Sequence, residues 1–267
     1  MFHGIASGAV DTRGFAVEQV LEDIESLNRR ALAGELEVSA VSFHAYPHLA
    51  ERYALLPCGG SMGDGYGPCV VAARPLDAAD LASRTVAVPG RLTSAFLALR
   101  LFLGREPRHT VVPFDRIPDA VLAGEAEAGL IIHESQLTYR EQGLHLVLDL
   151  GAWWSRRTEG LPLPLGGNVV RKDLGRATMV TLGRILRESI EYGLAHRAEA
   201  LGYAERFGRG LDRTRADRFV GMYVNDLTRD YGARGRRAIA RFLEEGAASG
   251  AVPRLAALEF VEDDVRP

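Results

Sequence analysis

At 267 residues and 47% hydrophobic, the chain exceeds the ~250 residues at which a single core stops growing, which predicts a division into two lobes. Its 32 basic and 35 acidic side chains give a formal charge of -3, without the sustained run of one sign that nucleic acid or an anionic membrane would demand. Apolar stretches stop short of the roughly 20 residues of a membrane span, and Met1 to Arg13 has neither the basic region nor the long apolar core of a signal peptide.

In chain order, Phe15 to Leu21 reads as a strand with alternating apolar positions, followed by a helix over Ile24 to Gly34 and a strand over Val38 to Phe43. Gly59 to Gly67 reads as a flexible glycine-rich hairpin between strands, or as a loop that covers a cleft or brings its backbone close to a ligand. Thr85 to Val88 leads into a helix over Thr93 to Leu103, then come strands at Thr110 to Val112 and Gly129 to Ile132. The continuous apolar run of the last predicts a central strand covered on both faces. This alternation predicts βαβ units and mostly parallel sheets. From Arg176 the spacing turns helical, over Met179 to Leu194, Ala198 to Phe207, Arg213 to Asp226 and Arg234 to Glu245. Crossings between lobes are expected at Ala73 to Leu76 and Val170 to Asp173, giving a discontinuous first lobe, 1–74 plus 172–267, and a second lobe, 75–171.

Cys58 and Cys69 are the only cysteines and form no CxxC or Cys/His grid, so they read as reduced thiols of a cytoplasmic protein. HExxH and other metal-ligand spacings do not occur, nor do the nucleotide patterns GxxxxGK[ST] and GxGxxG.

Ligands of α/β sheets sit beyond the carboxyl ends of strands, near helix N-termini. Ser42 follows the apolar residues Val38 to Val41, where its hydroxyl serves either as a helix cap or toward a cleft. Thr93 and Ser94 open a helix after Val88-Pro-Gly-Arg-Leu, a place for an ordinary cap or for a carboxylate or phosphate. His133 ends the apolar strand Gly129-Leu-Ile-Ile and precedes a polar turn. There an imidazole is either structural or suited to proton transfer near neutrality. His109 and His145 lie in other strand-like stretches, and His3, His44, His48 and His196 read as surface or packing residues. Of Trp153 and Trp154, at least one belongs to the core, and Leu161-Pro-Leu-Pro164 reads as a stiff turn.

Several pieces in order, Val20-Leu-Glu-Asp-Ile-Glu-Ser-Leu-Asn28, Val88-Pro-Gly-Arg91, Ala128-Gly-Leu-Ile-Ile-His-Glu134, Asp149-Leu-Gly-Ala-Trp-Trp154, Leu161-Pro-Leu-Pro-Leu-Gly166 and Tyr223-Val-Asn225, resemble the 1,4-dihydroxy-6-naphthoate synthase family across essentially the whole chain. The resemblance implies a periplasmic-binding-protein-like α/β fold (type II), with two lobes, a hinge cleft and a helical C-terminal third. It implies an enzyme without metal or redox cofactor whose partner is a small-molecule substrate, cyclic dehypoxanthine futalosine, cleaved to 1,4-dihydroxy-6-naphthoate and dihydroxyacetone in menaquinone biosynthesis. Carried over by position, His133 is the proton acceptor, Ala40, Val41 and Ser42 form one substrate-binding segment, and Thr93 and Ser94 form another that often reads Thr-Thr in the family.

Members of the family usually begin with a short apolar strand and a loop resembling Ser-Pro-Cys-Pro-Asn-Asp-Thr, followed by a helix like Met1-Phe-His-Gly-Ile, so this chain is expected to start inside that helix. The competing readings are a chorismate dehydratase of the same pathway, a carboxylate-binding protein without chemistry, and a regulatory ligand-binding domain. Ile-Ile-His-Glu at a strand end favours the synthase, since resembling dehydratases usually carry Gly-Asp there. A regulatory domain would normally be joined to a DNA-binding module that is not found in this sequence.

Overall fold

The computed structural model describes residues 1–206 and 213–262. Helix α1 (His3–Ala6) is followed by α2 (Ile24–Ala33), β1 (Val38–Ser42), β2 (Tyr53–Leu55) and β3 (Ser61–Gly63). Next come β4 (Cys69–Ala72), β5 (Thr85–Val88), α3 (Ser94–Leu103), β6 (Arg108–Val111), α4 (Ile117–Leu122), β7 (Ala128–Ile131), α5 (Ser135–Thr138) and β8 (His145–Asp149). The chain continues through α6 (Leu150–Arg157), β9 (Leu163–Arg171), α7 (Arg176–Ala195), α8 (Arg197–Glu205), α9 (Arg213–Tyr223), α10 (Asp226–Arg229) and α11 (Gly232–Ala248). The C-terminal third is helical as expected; the end of the helix expected over Ala198 to Phe207 lies outside the described residues.

Local chemistry fixes the helix that matters most below. Asp23 caps α2, its carboxylate accepting from the Glu25 and Ser26 amides, and Gly34 closes it with φ 76°, a left-handed conformation that glycine adopts without penalty.

Strand partnership departs from the expectation of mostly parallel sheets. In the first sheet β1, β2 and β3 all pair antiparallel with the long strand β9. The second runs in the order β6-β5-β7-β4-β8, with β5 parallel to β6 and β7, and β4 antiparallel to β7 and β8. The alternation of strands and helices was legible, but a ladder partner over a hundred residues away was not. β7 is central, and α4 lies so close over Gly129 that a Cβ there would come within 2.5 Å of Ile117.

The chain changes sheets outside the two segments expected to cross between lobes. β4 belongs to the second sheet and β9 to the first, so the chain changes sheets between Gly63 and Cys69 and again between Asp149 and Leu163. Ala73 to Leu76 follows β4, and Val170 pairs with Val38 inside the first sheet. The glycine-rich segment is not a hairpin, since β3 within it pairs with β9. Nor is Leu161-Pro-Leu-Pro164 only a turn: Leu163 and Pro164 open β9, and the register shifts between Ser61 and Met62, beside a proline that has no N–H to give the ladder.

Phe15 to Leu21 is not a strand. It pairs with no other strand, and Phe15, Val17 and Leu21 are 37%, 49% and 53% exposed. Alternation alone forms no ladder when no neighbouring strand offers its backbone.

Each sheet has its own cluster on one face, with Val71, Ala87 and Ile131 in the second and Ala54 and Val170 in the first, and a further cluster is shared. The shared cluster joins Val41 and Tyr53 of the first sheet to Val86 and Leu130 of the second through Phe96, Trp154 and Phe242. Trp154 is fully buried, edge-on to Phe242 at 5.3 Å, with its indole N–H donated to the Pro162 carbonyl at 3.1 Å. Trp153 is half-buried and packs edge-on against Phe102 at 5.6 Å.

Candidate functional site

The parallel strands of the second sheet deliver their carboxyl ends to one edge. β5 runs out into Pro89 to Thr93, β6 into Phe114, and β7 into Ile132 and His133. The His133 ring, with its Nε2 shielded from solvent, lies against Phe114 at a centroid distance of 3.9 Å and 46°. Its carbonyl accepts from the Gln136 amide at 2.9 Å, which starts α5 directly beyond it. An imidazole thus stands beside Phe114 just beyond the carboxyl end of β7.

The first sheet brings Ser42 to the same edge through α2. Glu25 and Asn28, one turn apart, form a buried polar face on that helix. The Glu25 carboxylate accepts from the Leu92 amide at 3.1 Å, and the Asn28 side-chain amide donates to the Leu92 carbonyl at 3.5 Å. Asn28 also grips Ser42 twice, its Oδ1 accepting from the Ser42 amide at 2.8 Å and its Nδ2 donating to the Ser42 hydroxyl at 3.1 Å. Ser42 is therefore not a helix cap.

His44 makes the second tie. Its amide donates to Ser94 Oγ at 3.2 Å, and its Nδ1 meets the Thr93 carbonyl at 3.0 Å, so that nitrogen carries the proton. Thr93 is the cap of α3: its Oγ1 accepts from the Phe96 amide at 3.3 Å and donates to the Gly90 carbonyl at 2.9 Å. The hydroxyl of Thr93 is thus satisfied internally and the Phe96 amide is taken up by Thr93, whereas the amides of Ser94 and Ala95, at the very start of α3, suit an anion.

The fold therefore joins the Ser42 segment to Thr93 and Ser94, and places His133 at the same sheet edge. Ala40 shares a strand face with Ser42 and is half-buried; Val41 points the other way, fully buried in the core, and meets the site only through its backbone. Sequence reasoning missed Glu25 and Asn28, and placed His44 among surface or packing residues. The available signal was an acid and an amide three apart on the inward face of an amphipathic helix.

Burial, more than the positive charges of Arg100 and His48, pushes the His44 imidazole down to about 4 from 6.5. Between these values the unfolded chain binds a proton that the folded chain refuses, so stability is complete above 6.5 and is lost as pH falls toward 4. The effect is on the order of 3 kcal/mol. His44→Asn, which keeps a donor for Thr93, is expected to flatten the acid limb of urea midpoints measured from pH 7 to pH 5; an unchanged limb would contradict this assignment.

On the other flank, Tyr66 and Tyr223 stack edge-to-face at 5.8 Å, and the Tyr223 hydroxyl donates to Gln136 Oε1 at 2.7 Å. Burial raises the Tyr223 phenol, and it also raises the Asp149 carboxyl at the adjoining strand end. An open depression of about 560 Å³ lined by Arg52, Arg171, Lys172 and Asp173 lies at the opposite end of the first sheet from Ser42. Arg171 there is paired with Asp173 at 2.7 Å and Lys172 with Glu259 at 2.5 Å, an ion-pair surface remote from His133. Among the described residues, no helix is long and apolar enough to cross a membrane.

Two α/β sheets joined by paired crossings, with polar groups converging at the strand ends, define a periplasmic-binding-protein-like fold. A Candida albicans protein described as having the generic periplasmic binding protein fold superposes with a TM-score of 0.70 at 13% identity, covering 95% of this chain and 87% of that one. The chain belongs to the menaquinone biosynthesis family, whose model matches residues 1–248. It is 45% identical over 251 residues to the 1,4-dihydroxy-6-naphthoate synthase of Thermus thermophilus, covering 94% of this chain and 90% of the relative. A solved structure from Archaeoglobus fulgidus is also 45% identical, with a TM-score of 0.88 and coverage of 94% of this chain and 93% of that one.

Proposed function

We propose that this chain is a 1,4-dihydroxy-6-naphthoate synthase, a carbon–carbon lyase that converts cyclic dehypoxanthine futalosine to 1,4-dihydroxy-6-naphthoate and dihydroxyacetone. The observation that carries the reading is 45% identity to a synthase along 94% of the chain; the linkage of Ser42 to Thr93 and Ser94, and the place of His133 beyond a parallel strand of the same sheet as β5, support it. In this reading the Ser42 and Ser94 hydroxyls, with the first amides of α3, hold the substrate carboxylate. His133 takes a proton from a substrate hydroxyl. The resulting alkoxide collapses to a carbonyl as the adjacent carbon–carbon bond breaks, in a retro-aldol-type cleavage.

The lobes are proposed to separate at the observed sheet crossings, and their closure would keep water from the intermediate. The reading places the protein in the cytoplasm, in keeping with Cys58 and Cys69 as buried free thiols. Incubation with cyclic dehypoxanthine futalosine should yield equal amounts of the naphthoate and dihydroxyacetone by mass spectrometry. Folded protein that yields neither would refute the synthase reading.

A further inference from the structure

Both serines of the proposed carboxylate site are hydrogen-bonded in the same sense. The Ser42 amide can only donate, so the Asn28 atom 2.8 Å from it is the carbonyl oxygen, and the atom 3.1 Å from the Ser42 hydroxyl is the NH₂ group. An NH₂ group can only donate as well, so Ser42 Oγ is an acceptor in that bond. Ser94 Oγ is likewise the acceptor of a backbone N–H, that of His44. Neither serine hydroxyl donates to a partner among the described residues, whereas the Thr93 hydroxyl both accepts and donates internally.

Asn28 is fully buried and Ser42 and Ser94 are each 2% exposed. At such depth water does not compete to turn the hydroxyls, and an unused donor is costly until a ligand accepts from it.

We infer that Asn28 is a positioning residue that fixes the Ser42 hydroxyl as a proton donor, so that Ser42 and Ser94 together present two O–H groups to an anionic oxygen pair and disfavour a ligand offering donors there. This rests on the synthase reading, in which those segments hold the substrate carboxylate. Asn28 acts through Ser42 and meets no reacting atom, so its effect belongs to binding more than to the chemical step.

The test is a double-mutant cycle with Asn28→Asp and Ser42→Ala. It reads KM and kcat for cyclic dehypoxanthine futalosine, the Kd of 1,4-dihydroxy-6-naphthoate by calorimetry, and thermal melting. An aspartate still accepts from the Ser42 amide, but it draws the hydroxyl proton to itself and reverses the bond. Asn28→Asp alone should raise KM and Kd by about tenfold, as for loss of one hydrogen bond to a charged group, with kcat changed by less than about threefold. In the Ser42→Ala background the same substitution should change KM and Kd by less than about threefold.

An equal factor in both backgrounds would mean simple charge repulsion and would overturn the inference while leaving the synthase reading intact. Should the aspartate variant fail to fold, Asn28→Ala enters the same cycle, and its effect on KM and Kd must shrink by at least about threefold without the Ser42 hydroxyl, the remainder belonging to its bonds to the Ser42 amide and the Leu92 carbonyl. A wild-type protein that neither converts the substrate nor binds the product overturns both readings.

Discussion

His133→Ala is expected to lower kcat for the futalosine cleavage by about 10²- to 10⁴-fold, the usual contribution of a positioned general base. KM should move little, because the groups proposed to hold the carboxylate, Ser42 and the start of α3, lie on other strand ends. The substitution removes a half-buried ring that packs on Phe114 at 3.9 Å but leaves β7 and the backbone bond to Gln136 in place. Folding stability should therefore fall by only about 1 kcal/mol. Single-turnover rates with saturating substrate, with melting curves alongside, separate the two effects. A kcat within a few-fold of wild type would remove His133 from the chemistry.

Gly151→Ala is expected to destabilise the fold by about 3 kcal/mol or more, although alanine is the better helix former. A Cβ on Gly151 would stand 1.9 Å from the Tyr66 carbonyl oxygen and 2.4 Å from the Gly67 amide nitrogen, both backbone atoms of the other crossing. No side chain can rotate to relieve that overlap, so the two crossings must separate. The same substitution at Gly202, in α8, meets no atom within 4 Å and is expected to stabilise by about 0.5–1 kcal/mol. Urea unfolding of the two variants should move in opposite directions, and a shared direction would show that the crossings do not pack as described.

The two crossings are where sequence reading and structure part most clearly. Gly67 and Gly151 touch backbone to backbone, yet each reads in the sequence as an ordinary turn or helix-start glycine. The sheet exchange was accordingly expected further along the chain, at Ala73 to Leu76 and Val170 to Asp173. The site shows the same division. The position of His133 just beyond β7 was legible because a polar residue that ends an apolar strand is a local pattern. Asn28 was not, because its significance lies in a bond to a residue on another element, and His44 takes its role from Thr93 and Ser94, far along the chain.

By itself the sequence determined what short-range chemistry decides. It placed α2, whose cap and closing glycine are local, the apolar run of β7, the helical C-terminal third and, through co-linear motifs, the family. The tertiary structure alone decided that β9 pairs with three strands of the first sheet, that a hydrophobic cluster is shared by the two sheets, and that Phe15 to Leu21 stays unpaired. It also decided the direction of the hydrogen bond at Ser42. The physical reason is common to these cases: helix caps and periodicity are satisfied within a few residues, whereas a strand or a buried polar group acquires its conformation only from a partner brought to it by the rest of the fold.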